Sequence, residues 1–155
     1  METPWCTEGR HQPAHRDTRN GNAVTDCVAV AESFSTGRLL ALRPELKPRD
    51  VSAWDKQWKA WRKHRPVDLC LWEGWPKFRG YVEVRHALQH GLGRLTGPST
   101  RKDRKNNQRE FLTWIKAANV QLNGLNIMLT DDDPIACSGV CADFVRFLDA
   151  AAPLA

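Results

Sequence analysis

Three tryptophans, Trp54, Trp58 and Trp61, recur at i, i+4 and i+7, a spacing that only a helix turns into one continuous face. Lys56, Lys59, Arg62, Lys63 and Arg65 fall on the other faces. Aromatic and basic residues so interleaved can stack on bases and hold phosphates. The same pattern also describes an indole stripe buried in a helical core with a solvated basic side, and that reading is the favoured one.

The helical period continues along the chain. Residues 23–42 carry Val24, Cys27, Val28, Ala31, Phe34 and Leu39 at near-helical spacing, with Gly37 a candidate end. Ser52 and Asp55 have the spacing of a capping box and open the tryptophan helix over 53–64. Val67–Trp72 reads as a short helix or a buried connector. Pro76 suits the first turn of a third helix over 76–90, whose core face is Phe78, Tyr81, Val82 and Leu88, with Val84 and Ala87 beside it and Gly91 as its C-terminal cap. A further helix starts near Lys105 and carries Phe111, Trp114, Ile115 and Ala118.

Between this helix and the last one, Val120–Leu129 alternates apolar and polar residues about Asn123-Gly124, a strong hairpin signal. Thr130, Asp131, Asp132, Asp133 and Pro134 form a helix start, the carboxylates complementing the helix dipole rather than holding a metal. The closing helix bears Ile135, Val140, Phe144, Val145, Phe147 and Leu148. The fold class expected is all-α, a helical bundle of about four to five helices with a short β-hairpin before the C-terminal helix. Residues 1–22, polar and without period, read as a disordered N-terminal arm, and 23–155 as the helical domain.

Composition bounds the partners. A chain of 155 residues with a net charge of +5 and a pI near 9.1 mildly favours a polyanion. The five cysteines, Cys6, Cys27, Cys70, Cys137 and Cys141, are odd in number and lack C-x-x-C spacing, so buried free thiols are expected rather than a zinc site. No apolar run reaches the ~20 residues of a membrane span, and the N-terminus lacks a secretory pattern. A reducing cytoplasm is the expected compartment.

Chemistry is concentrated in Tyr81–Arg94. Arg85 can clamp a phosphate through parallel hydrogen bonds, and His90 can move a proton near neutral pH. Five residues along a helix amount to about 500°, so the two side chains point about 140° apart. A long arginine, the helix end at Gly91 or a second copy of the helix could reconcile them, the last as a composite site at a dimer interface. Glu83 faces away from Arg85 and ranks as a supporting residue only. The bland alternative pairs Arg85 with Glu83, Asp149 or another carboxylate and leaves His90 as a helix cap.

Arg85-His86-(three residues)-His90, with Glu83 before it and Gly91-Leu92-Gly93-Arg94 after it, resembles the signature of the HEPN superfamily. The hairpin and the closing helix from Cys141 to Asp149 add to the likeness, which covers about residues 70–150. The resemblance implies an endoribonuclease of bacterial toxin–antitoxin or defence loci, working without metal or cofactor. Arg85 would orient the scissile phosphate, His90 would serve in acid–base chemistry and His86 would shape the site. It also implies RNA as substrate, a homodimer, and a cognate antitoxin or nucleotidyltransferase-type partner. Leu92 stands where some members carry a tyrosine modified by such a partner, which argues against that mode of control. Arg94, Arg101, Lys102, Arg104 and Lys105 would hold RNA flanking the cut, or form a solvated loop. A non-catalytic helical module binding RNA or protein is the alternative.

Overall fold

The computed structural model describes residues 13–64, 67–95 and 104–154, which form five α-helices and one hairpin. They run in the order α1 (Pro13–Leu42), α2 (Trp54–His64), α3 (Trp75–His90), α4 (Arg104–Ala117), β1 (Gln121–Asn123), β2 (Asn126–Met128) and α5 (Asp133–Ala151). Short 3₁₀ turns at Pro48–Asp50 and Leu69–Leu71 lie on either side of α2. The expected helical bundle with a hairpin before the last helix is the architecture found. Among the described residues, no helix is long and apolar enough to cross a membrane.

Helix α3 is the axis of the bundle, packed against α1, α4 and α5. Neighbours on so many sides bury Gly80, Tyr81, Val82, Glu83 and Val84 consecutively, so its middle has no solvent face. Gly80 makes the approach to α4 possible. A Cβ there would lie 2.4 Å from the Trp114 carbonyl oxygen and 2.6 Å from the Ala118 Cβ. At the centre, Phe78 of α3 stacks on Phe144 of α5 with ring centroids 4.2 Å apart. Trp54 of α2 meets Phe78 edge-on at 5.0 Å, and Trp72 packs on Phe144 and Phe147 at 5.6 Å.

Helix α1 presents Val24, Val28, Ala31, Ser35 and Leu39 to this core at steps of three or four residues. Two buried polar contacts stitch it to α2. The Trp61 indole donates to the Ser35 hydroxyl at 3.0 Å, and the Gln57 amide donates to the Thr36 hydroxyl at 2.9 Å. The tryptophan stripe is core as favoured: Trp54 and Trp61 are buried, Trp58 is half-buried, and Lys56, Lys59, Arg62 and Lys63 are exposed.

Several boundaries differ from expectation. The helix begins at Pro13, inside the stretch read as an arm. Asn20 is buried and donates to the Thr130 carbonyl and to Asp131 Oδ1, both at 3.1 Å, so α5's entry holds this turn in place. Residues 1–12 lie outside the described residues. Gly37 does not end α1, because packing on both sides of it carries the helix to Leu42. Ser52 makes no cap: its hydroxyl donates to the Arg49 carbonyl at 3.3 Å, and Ala53 accepts the first hydrogen bonds of α2.

The hairpin turns at Gly124-Leu125, not about Asn123-Gly124. Asn123 pairs with Asn126, and Gly124 takes the positive φ of 62° that the first central position of a II′ turn needs. The start of α5 follows the expected pattern, with Asp133 accepting from the Thr130 backbone N–H at 2.6 Å and its hydroxyl at 2.9 Å.

Removing the Phe78 ring should destabilise the fold most simply. Phe78→Ala should cost about 3–5 kcal/mol in urea unfolding. Gly37→Ala, at an exposed helical position where a Cβ meets nothing within 4 Å, should add about 0.4–1 kcal/mol in the same assay.

Candidate functional site

The C-terminal half of α3 carries Arg85, His86 and His90, and two devices hold its end. The N–H groups of Gly91 and Gly93 both donate to the Ala87 carbonyl, at 2.8 and 2.9 Å, closing the helix where Gly91 was expected to cap it. A side chain at Gly91 is excluded, since its Cβ would lie 2.2 Å from the Arg94 carbonyl oxygen. The chain then runs along the hairpin. Ile127 N–H donates to the Gly93 carbonyl and Leu95 N–H to the Leu125 carbonyl, each at 2.8 Å. The hairpin therefore fixes the loop that follows the histidines.

That loop stores strain. Leu92 has φ 51° and is fully exposed, an unfavourable backbone region for a γ-branched residue with no packing to hold it there. Gly93, with φ 83°, takes the second left-handed position at little steric cost. Arg94 is exposed and bridges to Asn126 through its backbone.

Arg85 and the histidines occupy different sides of α3, as helical spacing requires. Arg85 turns to α1, where its Nη1 pairs with Glu32 Oε2, both side chains being largely shielded from water. Its Nε is buried with no hydrogen-bond partner among the described residues. His86 and His90 lie on an exposed face with ring centroids 6.4 Å apart.

Beneath them, Glu83 is buried and bonded by Arg79 at 2.9 Å, with His86 Nδ1 3.7 Å from its other oxygen. Arg79, Glu83, His86 and His90 thus form one line along α3 at helical spacing. Glu83 faces away from Arg85 as expected, but towards the histidines. A protonated His86 would share its carboxylate with Arg79.

Of the sequence-derived candidates, the structure brings His86 and His90 together and gives Arg85 to Glu32. The partner is neither Glu83 nor Asp149; Asp149 pairs instead with Arg38 of α1. Arg104 and Lys105 open α4, while Arg101 and Lys102 lie outside the described residues. Sequence reasoning missed Glu32 altogether, because a contact across 53 positions leaves no local pattern.

Of the thiols expected to be buried, Cys137 and Cys141 are, while Cys27 is half-buried, Cys70 is exposed and Cys6 lies outside the described residues. Cys137 and Cys141 share a buried face of α5 with sulfurs 4.0 Å apart. The hydrogen bond to Cys141, with burial second, pushes the Cys137 pKa up. No grouping of His, Cys, Asp and Glu suited to a metal ion occurs among the described residues.

The class that this geometry defines is a small helical bundle with a histidine pair and a shielded arginine at the end of its central helix. No protein-family model, curated protein or solved structure matches the chain.

Two substitutions on α3 should separate framework from site. Glu83→Ala leaves Arg79 without its carboxylate in a largely buried setting and should cost about 3–5 kcal/mol in urea unfolding. His90→Ala, at an exposed position, should stay within about 0.5 kcal/mol of the parent.

Proposed function

We propose that the protein is a metal-independent endoribonuclease of the HEPN type, a cytoplasmic toxin or defence effector working as a homodimer. The observation that carries this reading is the exposed pair His86 and His90, set 6.4 Å apart at the end of α3 and next in sequence to Arg85. Two imidazoles so placed can divide proton transfer between them, one taking a proton and one giving it.

The RNA 2′-hydroxyl is the nucleophile. One imidazole accepts its proton as the 2′-oxygen attacks phosphorus, and the other, as imidazolium, protonates the departing 5′-oxygen. The products are a 2′,3′-cyclic phosphate and a free 5′-hydroxyl, with no net change in protons. Holding the ribose hydroxyl beside its own phosphate makes the attack intramolecular. His90 is the exposed last residue of α3, and its ring is placed to reach the departing oxygen.

Arg85 supplies charge to the phosphoryl oxygens, for which its guanidinium geometry is suited. Glu32 holds it in the free protein, so an RNA phosphate has to compete for the guanidinium, or the second subunit has to complete the cleft. Arg94 extends the basic surface along the loop. An antitoxin covering the histidine face would silence the enzyme.

The Arg85–Glu32 pair favours a second reading as well. A guanidinium already paired with a carboxylate of its own chain is what a non-catalytic RNA- or protein-binding module of this fold would carry.

Labelled RNA incubated with the protein and excess chelator decides between them. Cleavage should occur and leave cyclic phosphate ends, and Arg85→Ala and His90→Ala should each lower the rate about 10²–10⁴-fold. A requirement for Mg²⁺, or cleavage that survives both substitutions, would sink the mechanism. Growth arrest on expression, relieved by His90→Ala, should accompany the activity.

A further inference from the structure

Helices α1 and α5 run side by side in the same direction. Asn20 meets the entry of α5, Cys137 Sγ lies 3.9 Å from the Val24 carbonyl oxygen, and Arg38 pairs with Asp149 further along. A groove of about 520 Å³ opens between them. Val30 and Ala31 of α1 and Cys141, Ala142 and Val145 of α5 line it, with Asp26 on one rim and Arg146 on the other. None of Arg85, His86, His90 and Arg94 contributes to its walls.

The helix faces beside this groove are poor in charge. From Asn22 to Gly37 the charged residues are Asp26 and Glu32, and Glu32 is turned to Arg85. From Pro134 to Val145 the charged residue is Asp143. Helix α2, by contrast, exposes Asp55, Lys56, Lys59, Arg62 and Lys63 within 11 residues. Each groove helix also leaves an apolar side chain in water, Val30 at 68% exposure and Ile135 at 74%. Depletion of charge around exposed apolar groups is the composition of a protein–protein contact rather than of a solvated face.

Spacing gathers these residues into two stripes. Asp26, Val30 and Ser33 stand at i, i+4 and i+7 on α1, and Ile135, Gly139, Ala142 and Arg146 at i, i+4, i+7 and i+11 on α5. Small residues in both stripes let another helix approach closely. A Cβ at Gly139 would meet nothing within 4 Å, so packing within the subunit does not require a glycine there, although glycine weakens a helix.

The rims identify what covers the groove. Arg146 lies nine residues, about 13 Å, beyond Cys137 along α5, whereas Asp26 of α1 lies near the level of Cys137 itself. The two opposite charges thus sit at opposite ends of the groove, on opposite helices. A two-fold axis lying in this face, midway between them, brings Asp26 of one copy to Arg146 of the other and the reverse. Arg146 gives one nitrogen to the exposed Asp143 at 2.8 Å, and its other donors stay open to a partner carboxylate. A second copy supplies the complementary charge twice by symmetry alone. We propose that this groove is the surface through which two copies of the chain pair, α1 and α5 of each packing on those of the other. The proposal names the interface of the homodimer in the reading above, though its chemistry owes nothing to RNA. It also leaves the competition for Arg85 to the substrate, since the second copy lies on another face.

Sedimentation of the full-length protein over a range of concentrations tests the pairing. The parent should show a reversible monomer–dimer equilibrium with a Kd on the order of 10 μM or tighter. Val30→Asp, Asp26→Arg and Arg146→Asp should each weaken it about ten-fold or more, because each places a new or like charge at two symmetry-related contacts. Combining Asp26→Arg with Arg146→Asp should restore the Kd to within about three-fold of the parent, as coupled charges do. All three positions are exposed, so the helical circular dichroism of the variants should match the parent. A monomer at every concentration would leave the groove to some other occupant and overturn the proposal. A dimer indifferent to the three single changes, or a double reversal that stays dissociated, would overturn it as well. A dimer that obeys the charge exchange but cuts no RNA would uphold the surface and remove the nuclease. RNA cleavage by a protein that stays monomeric would do the reverse.

Discussion

The contact between Phe78 and Phe144 is the point on which the bundle turns. It joins the central helix to the closing one at 4.2 Å, and Trp54 and Trp72 seal its edges, so that α2, α3 and α5 meet in one aromatic cluster. Large rigid rings bury much apolar area while losing few rotamers, which lets a chain of this size hold a single core. Helix α1 then closes the side with the stripe of Val24, Val28, Ala31, Ser35 and Leu39.

A central helix buried in its middle can offer chemistry only at its ends. At the C-terminal end, four backbone hydrogen bonds from the hairpin and the cap fix the chain after His90, and Glu83 lies beside the turn before it. At the N-terminal end, Arg79 is held between Glu83 and two indole faces. Glu83 therefore ties the two ends together through one buried carboxylate. Its net worth to stability is modest once desolvation is counted, but losing one partner strands the other's charge. That asymmetry explains why a buried ion pair can anchor a site without being a large source of stability.

Much of the architecture was legible from local patterns. The tryptophan spacing, the Pro76 start, the Gly91 cap and the Thr130–Asp133 turn are decided by residues within a few positions of one another, and the structure carries all of them. Local rules failed where a distant partner intervened. The first turns of α1 are polar and look unstructured, yet Asn20 is held by α5's entry about 110 residues away. Gly37 is a weak helix former that neighbouring contacts override. Ser52 turns its hydroxyl back to the Arg49 carbonyl instead of capping α2.

The candidate site divides along the same line. Sequence by itself determined that Arg85 and His90 diverge by helical geometry and that Gly91 caps their helix, because these are properties of one helix and its end. Only the tertiary structure decided that Arg85 is taken by Glu32, that Glu83 serves Arg79 and His86 together, and that four separated tryptophans enclose one cavity. Each of these depends on which helix lies against which. That is set by the packing of whole faces, and no single segment encodes it.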